Sequence, residues 1–347
     1  GGNLSGGYGG YLSWPTEKYG GKENRGFGVT VKTVDISTPK IQWSTSFNFA
    51  MDRNKVTKLV APILTQYTST TNNNQAEFET TVGEPLSMIT GYIAEGLFQN
   101  YKDISGHAVQ TSSSSGTPTL TIDPKQGSWV GDIKFRDISG PNGKPDGVID
   151  QNDRTIIGNP WPKFTYNFNT EFSYRGFDLN VFFVGVYGNK ILNLLRYENE
   201  MPLGTGEYNN HPVSVENFAV PSSNDVADAL SVTLTNPGHK IPRVVTNGDP
   251  NGNVRLTQWD VEDGSYLKLK NVRLSYTVPD KYLGVQHIFR GITASVQAQN
   301  LFTITKYKGL DSEVGMYNYK GVTNIVGMDE GRYPTTRSYS LSLTLDF

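Results

Sequence analysis

Apolar and polar side chains alternate at every second residue along several stretches of this chain, and that pattern constrains its fold more than any other feature. In 41–51 the apolar set is Ile41, Trp43, Phe47, Phe49 and Met51, against Gln42, Ser44, Ser46 and Asn48. In 164–174 it is Phe164, Tyr166, Phe168, Phe172 and Tyr174, against Thr165, Asn167, Asn169, Glu171 and Ser173. In 177–187 Phe177, Leu179, Val181, Phe183 and Tyr187 share one face, while the other starts polar at Asp178 and Asn180 and turns apolar at Phe182 and Val184. In 291–301 Ile292, Ala294, Val296 and Ala298 oppose Thr293, Ser295, Gln297 and Gln299. Successive side chains of an extended strand point to opposite faces, so period two marks a strand with two unlike sides. Segments 27–36 and 266–278 are predicted strands of less clean phase. Leu267 and Leu269 fall out of step with Val272, Leu274, Tyr276 and Val278, and a bulge near Asn271 accounts for the slip.

These runs last about ten residues or more, enough to cross a bilayer at a tilt, whereas strands of soluble sheets average about five or six. Their polar faces are mostly Ser, Thr, Asn and Gln, which suits a hydrated lumen; a soluble surface would carry more Lys and Glu. The reading is therefore an all-β, transmembrane antiparallel β-barrel. The competing reading is a secreted β-sandwich or solenoid that binds glycan through loop aromatics, and its apolar rows would face a second layer of the same chain. Composition narrows the function classes. With 31 Lys and Arg against 33 Asp and Glu the net charge is -2, so no basic field attracts nucleic acid. The absence of cysteine excludes disulfides, a thiol nucleophile and a Cys-type zinc site. No stretch approaches the roughly 18 apolar residues of a membrane helix, a test that barrel strands do not have to pass.

The connections carry further information. Segment 37–40, Arg175-Gly176 and segment 279–290 are short links; 52–163, 188–265 and 302–336 are long ones. Short and long links alternate strictly, as in outer-membrane barrels with periplasmic turns and extracellular loops. Placing Arg175-Gly176 in the periplasm sets every strand direction and leaves Phe347 on the periplasmic side. The last predicted strand alternates Tyr339, Leu341, Leu343, Leu345 and Phe347 with Ser338, Ser340, Ser342, Thr344 and Asp346. These few strands do not close a barrel, and an unpaired edge at membrane depth is very costly. The Gly-rich start at Gly1-Gly2-Asn3 reads as the interior of something longer, so further strands are expected upstream.

Against that background the chain resembles the SusC/RagA-like TonB-dependent outer-membrane transporters of the Bacteroidetes. The resemblance is carried by Gly83-Glu84-Pro85-Leu86, Gly91-Tyr92, Glu95-Gly96-Leu97-Phe98-Gln99 and Gly131-Asp132-Ile133-Lys134-Phe135-Arg136-Asp137. Asp146-Gly147-Val148-Ile149-Asp150, Ile157-Gly158-Asn159-Pro160, Tyr174-Arg175-Gly176-Phe177-Asp178-Leu179 and Gly185-Val186-Tyr187-Gly188-Asn189 follow in the same order. So do Ser265-Tyr266-Leu267-Lys268-Leu269-Lys270-Asn271, Gln299-Asn300-Leu301-Phe302 and Tyr333-Pro334-Thr335-Thr336-Arg337. The resemblance implies that residues 1–347 are the C-terminal portion of a 22-stranded barrel, with the N-terminal plug domain and first strands absent from this chain. It implies import of an oligosaccharide or a peptide, a SusD-like surface lipoprotein as lid, TonB contact through the N-terminal part, and a dimer of SusC–SusD pairs. Outer-membrane lipid is the surrounding partner and nucleic acid is not one.

No nucleophile constellation is visible, so the chain is expected to be nonenzymatic. His107, His211, His239 and His287 lie far apart, and Glu262-Asp263 is a sequence neighbour pair that says nothing about carboxylate separation. The Asp-rich segment containing Asp137, Asp146, Asp150 and Asp153 is similar to a calcium loop, which alternates oxygen ligands around a Gly turn. Extra residues between Ser139 and Asp146 put Lys144 at a ligand position, so a turn held by Asx hydrogen bonds is the alternative to a structural Ca2+. The long links offer Tyr197, Tyr208, Trp259, Tyr307, Tyr317 and Tyr319 as candidate substrate contacts, since aromatic rings combine apolar area with a polar tip. Supporting a lid protein or forming an interfacial girdle are the other uses of such rings. Tyr339, Leu341, Leu343, Leu345 and Phe347 are the expected barrel-assembly signal, carried over from outer-membrane proteins in general.

Overall fold

The computed structural model describes residues 20–68, 75–110, 119–140, 142–201, 213–245, 248–283, 289–319 and 322–347. Seven long strands form one antiparallel sheet in chain order: β1 (Gly20–Ser37), β2 (Ile41–Leu59), β3 (Phe164–Tyr174), β4 (Phe177–Tyr187), β5 (Tyr266–Thr277), β6 (Gly291–Thr305) and β7 (Ser338–Asp346). All seven predicted strands are present, and each pairs with its sequence neighbours. The ladder of β1 and β2 runs past the predicted limits, from Phe27↔Met51 on to Gly20↔Leu59. That extension includes Arg25↔Arg53 and Glu23↔Lys55 and is mostly polar, with Val56 and Leu59 the apolar exceptions. Periodic hydrophobicity therefore stops where the apolar surroundings stop, although the backbone pairing continues.

The register stacks the apolar rows of all seven strands on one face. Val31, Phe47, Phe168, Phe183, Leu269 and Phe302 form one row, each paired with the next across the sheet. Leu179, Leu274, Val296 and Leu341 form another. The expected bulge is there: Phe182 pairs with Asn271 but Phe183 with Leu269, so Lys270 is extra. That one residue returns Leu267 and Leu269 to the face of Val272 and Leu274, which resolves the phase slip in the sequence. At the β3–β4 turn Arg175 and Gly176 both have positive φ, the geometry of a two-residue hairpin. A Cβ on Gly176 would stand 2.6 Å from the Thr277 carbonyl oxygen, so only glycine fits there.

No other part of the chain among the described residues covers this apolar face. Phe27, Phe177 and Leu341 are 53%, 49% and 84% exposed. This overturns the β-sandwich alternative, which required a second sheet against those rows. A surface so large, continuous and apolar is unlike that of a soluble protein and matches a lipid-facing wall.

The three long links are not independent loops. They fold together into a cap with its own core. One cluster joins Phe98, Trp129 and Phe135 of the first link to Ala219, Val232 and Leu234 of the second. A second joins Phe78 and Ile89 of the first, Leu192, Leu194 and Tyr197 of the second, and Ile325 and Met328 of the third. Between them lies a buried polar network. Arg243 donates from Nε and Nη2 to the two oxygens of the fully buried Asp132 at 2.8 and 3.2 Å. Asn253 and the Trp129 backbone N–H donate to the same carboxylate. Every acceptor of the ion is thus answered, which is the condition for burying it.

Candidate functional site

The face opposite the apolar rows is lined by polar side chains that hydrogen-bond across strands. Asn180 donates to Asn169 at 3.0 Å, Asn271 to Asn180 at 3.3 Å, and Gln297 to Asn271 at 2.6 Å. Amides act as both donor and acceptor, so the ladder crosses β3, β4, β5 and β6 without a charge having to be buried. At its upper end Lys268 and the bulged Lys270 both reach Glu313 of the third link, at 2.6 and 3.1 Å, and Lys268 also donates to Thr335. This ties the third link to the lumen side of the sheet. Partial burial pushes the Glu313 carboxyl up, but hydrogen bonds from Lys268 and Lys270 outweigh it and hold the group below its ordinary value.

The cap contains a cavity of about 300 Å3. Helix α1, residues Leu194–Glu200, starts at Asn193, whose side chain accepts from the Arg196 backbone N–H. The helix places Arg196 and Glu200 one turn apart on the cavity wall, where they pair at 2.9 Å. Arg196 also donates to Glu262 at 2.6 Å and to the Trp259 carbonyl at 2.6 Å. The half-buried Trp259 ring has the Lys240 ammonium 5.5 Å from its centre. Burial pushes the Asp260 carboxyl up to about 6, against the Thr257 hydrogen bonds and Arg196 that favour its ionised form. The site therefore pairs an indole with ion-paired and cationic groups and holds an acid that changes charge near pH 6.

The expected aromatic residues divide. Tyr197 and Trp259 meet in this cavity. Tyr197, however, is 2% exposed and gives its hydroxyl to the Val254 carbonyl. Tyr307 is equally enclosed and donates to Asp329 at 2.5 Å. Both rings are structural struts of the cap rather than open stacking faces, because each buries its ring and satisfies its hydroxyl internally. Trp259 keeps an accessible face. Tyr317 and Tyr319 lie on a short hairpin strand, Met316–Tyr319, with their side chains outside the described residues, as is the whole of Tyr208. Arg196 and Lys240 went unrecognised in the sequence, Glu262 was weighed only as half of a carboxylate pair, and Lys268 stood only within a family-like motif. The Arg196–Glu200 spacing and the close pair of Lys268 and Lys270 were the available signals.

The Asp-rich segment acts as a set of backbone caps. Asp153 accepts from the Ile138, Ser139 and Asp150 N–H groups, Asp137 from Gly147, Asp146 from Val148 and Asp150 from Asn152. Among the described residues no group of three or more His, Asp and Glu side chains converges as a metal site. Asp150 and Asp153 cap the same short turn reciprocally, and Asp137 and Asp146 hold the adjacent Gly147 and Val148 N–H groups, the hydrogen bonding of Asx-type turns. Of the terminal strand, Tyr339, Leu341, Leu343 and Leu345 share the apolar face, and the exposed Phe347 follows the strand's last residue and packs on Phe289.

Sheet, lumen ladder and folded links define the class: an antiparallel transmembrane barrel wall of the outer-membrane type, with long extracellular loops. No family model matches the chain. TonB-dependent receptor P3 of Formosa agariphila is 31% identical over 344 residues, covering 97% of this chain and 30% of the receptor. TonB-dependent receptor SusC of Bacteroides thetaiotaomicron is 22% identical over 334 residues, 96% of this chain and 27% of SusC. Among solved structures the RagAB peptide transporter superposes with a TM-score of 0.62 at 22% identity over 95% of this chain and 29% of that one, a likeness of fold. The RagAB peptide importer in its closed-closed state gives 0.60 at 21% identity, over 95% and 30%. The chain is homologous, over the part it spans, to the SusC/RagA-like TonB-dependent transporters of the outer membrane. It spans about 30% of the length of the curated relatives it matches.

Proposed function

We propose that this chain is the C-terminal barrel portion of an outer-membrane importer, nonenzymatic and driven through TonB by a plug that lies outside these residues. The observation that carries the reading is the seven-strand wall with one uncovered apolar face and one hydrogen-bonded polar face. Such a wall separates lipid from a water-filled passage. The relatives' names, TonB-dependent receptor and peptide importer, support energised uptake. The cargo is an oligosaccharide or peptide, received from a SusD-like surface lipoprotein that docks on the cap, with two such pairs forming a dimer. Trp259 is the cap residue best placed to touch cargo. Its half-open ring stands beside Lys240 in a cavity walled by ion pairs.

Uptake of a fluorescently labelled oligosaccharide or peptide mixture by cells with and without the intact gene tests this reading. Import that needs both the gene and the proton gradient is expected, with the lipoprotein co-purifying in detergent. Equal uptake by the deletion strain refutes it.

A further inference from the structure

At the end of the sheet that carries the long links, the β1–β2 ladder continues past the apolar pair Phe27↔Met51 through Arg25↔Arg53 and Glu23↔Lys55. No register shift intervenes, so Arg25, Arg53, Glu23 and Lys55 keep to the outward face of Phe27 and Met51. The residues between them, Asn24, Gly26, Asp52 and Asn54, belong to the other face and bring no cation there. A band of rings marks the level. Phe27 stands 5.9 Å from Phe49, Phe49 5.2 Å from Phe164, and Phe164 4.8 Å from Tyr187. Aromatic girdles of this kind sit where hydrocarbon gives way to headgroups. Two residues further along a strand is about 7 Å, the depth of one headgroup layer. Arg25 and Arg53 therefore stand at headgroup height, with Lys55 one step above.

Two features of this cluster point to an anionic partner. First, two arginines sit directly opposite each other on one face, an arrangement that repels and destabilises the ladder unless an anion lies between them. Second, the charges do not cancel. Glu23 answers Arg25 at 2.6 Å and is one carboxylate against three cations. Arg53 donates from Nη1 to the Asp52, Pro162 and Lys163 carbonyls at 3.0, 3.3 and 2.8 Å, which holds its guanidinium against the wall without neutralising it. Among the described residues neither Arg53 nor Lys55 has an ion-pair partner, and both are exposed.

We propose that this cluster docks the phosphate of an outer-leaflet glycolipid whose acyl chains lie on the apolar rows below. Arg25 and Arg53 turn their guanidinium forks to the phosphate, and Lys55 adds a point charge. The acyl chains run down over Phe27, Val29 and Val31, which are 53%, 46% and 50% exposed. Cations and apolar wall together match the two halves of one amphiphile, whereas a free phosphate ion matches only the first. The proposal needs the wall's place in the outer membrane and not the identity of its cargo.

Native mass spectrometry of the intact receptor in uncharged detergent, stripped of native lipid, tests it. The probes are phosphoryl lipid A, its phosphatase-treated counterpart and inorganic phosphate. The phosphorylated lipid should bind roughly thirtyfold more tightly than the dephosphorylated one, about fivefold for each of the two net positive charges. Arg25→Gln combined with Lys55→Gln leaves Arg53 and its backbone bonds in place against Glu23, and should abolish the preference. Arg273→Gln removes a cation from the lumen face, opposite Asn180, and should leave the preference intact. Heat-modifiable gel mobility checks that both variants fold. Equal binding of the two lipids, binding of neither, or a preference that survives the double variant overturns the site. Loss of the preference in Arg273→Gln as well overturns its placement on the outward face. Displacement of the lipid by inorganic phosphate at equal concentration overturns the lipid assignment.

Discussion

Arginine placed at Phe168 tests which side of the sheet meets hydrocarbon. Phe168 lies mid-strand in β3, between Phe47 and Phe183, on the face that nothing among the described residues covers. An arginine at the middle of a barrel's lipid face costs about 2–4 kcal/mol. Loss of the partly covered Phe ring adds roughly 1–2 kcal/mol, from the usual worth of burying such a side chain. Phe168→Arg should therefore destabilise the intact receptor by roughly 3–6 kcal/mol. Asn167→Arg is one residue away, between Asn48 and Val184, and points into the lumen. Water solvates its guanidinium there, and the cost should stay within about 1 kcal/mol, as for other solvated sites. Urea titration of receptor refolded into lipid vesicles, followed by the loss of heat-modifiable gel mobility, reads the difference. Equal penalties at the two positions, or the larger one at 167, would refute the assignment of faces.

Other outcomes follow from the cap. Arg243→Met leaves the Asp132 carboxylate buried without its partner, and should cost about 3–5 kcal/mol, seen as faster trypsin cleavage in 213–245 while the barrel keeps its heat-modifiable mobility. Glu313 has its carboxyl held below the ordinary value, so the tether it makes to Lys268 is fully present above about pH 4.3, its usual unfolded pKa. The tether is lost as pH falls through the depressed folded value, and the protection factors of third-link amides against hydrogen exchange should fall in strong acid but stay unchanged between pH 5 and 7. Asp260 behaves in the opposite sense. Its raised value favours the fold at low pH, and that contribution disappears as pH climbs through about 6. The Asp260→Asn variant should flatten the pH dependence of cap melting across that range. Chelation by EDTA should leave cap melting unchanged, because the carboxylates of Asp137, Asp146, Asp150 and Asp153 are engaged by backbone N–H groups.

The barrel wall was legible in the sequence because strand alternation is a local property. Ile41 to Met51 shows its two faces without reference to any other segment, and even the bulge at Lys270 betrayed itself as a phase slip between Leu269 and Val272. The positive-φ turn at Arg175-Gly176 was equally local. The cap was not legible. Whether Tyr197 offers its ring or buries its hydroxyl depends on Val254, and Tyr307 on Asp329. The Asp132–Arg243 pair spans 111 residues with no periodic signal between them. Sequence alone determined which side chains share a face of each strand, since a pleated chain leaves a side chain only two directions, and the uncovered apolar face in the fold assigned that side to lipid. Only the tertiary structure decided what the long links do, since they bury their aromatics and charges against partners that folding, and not spacing, brings within reach.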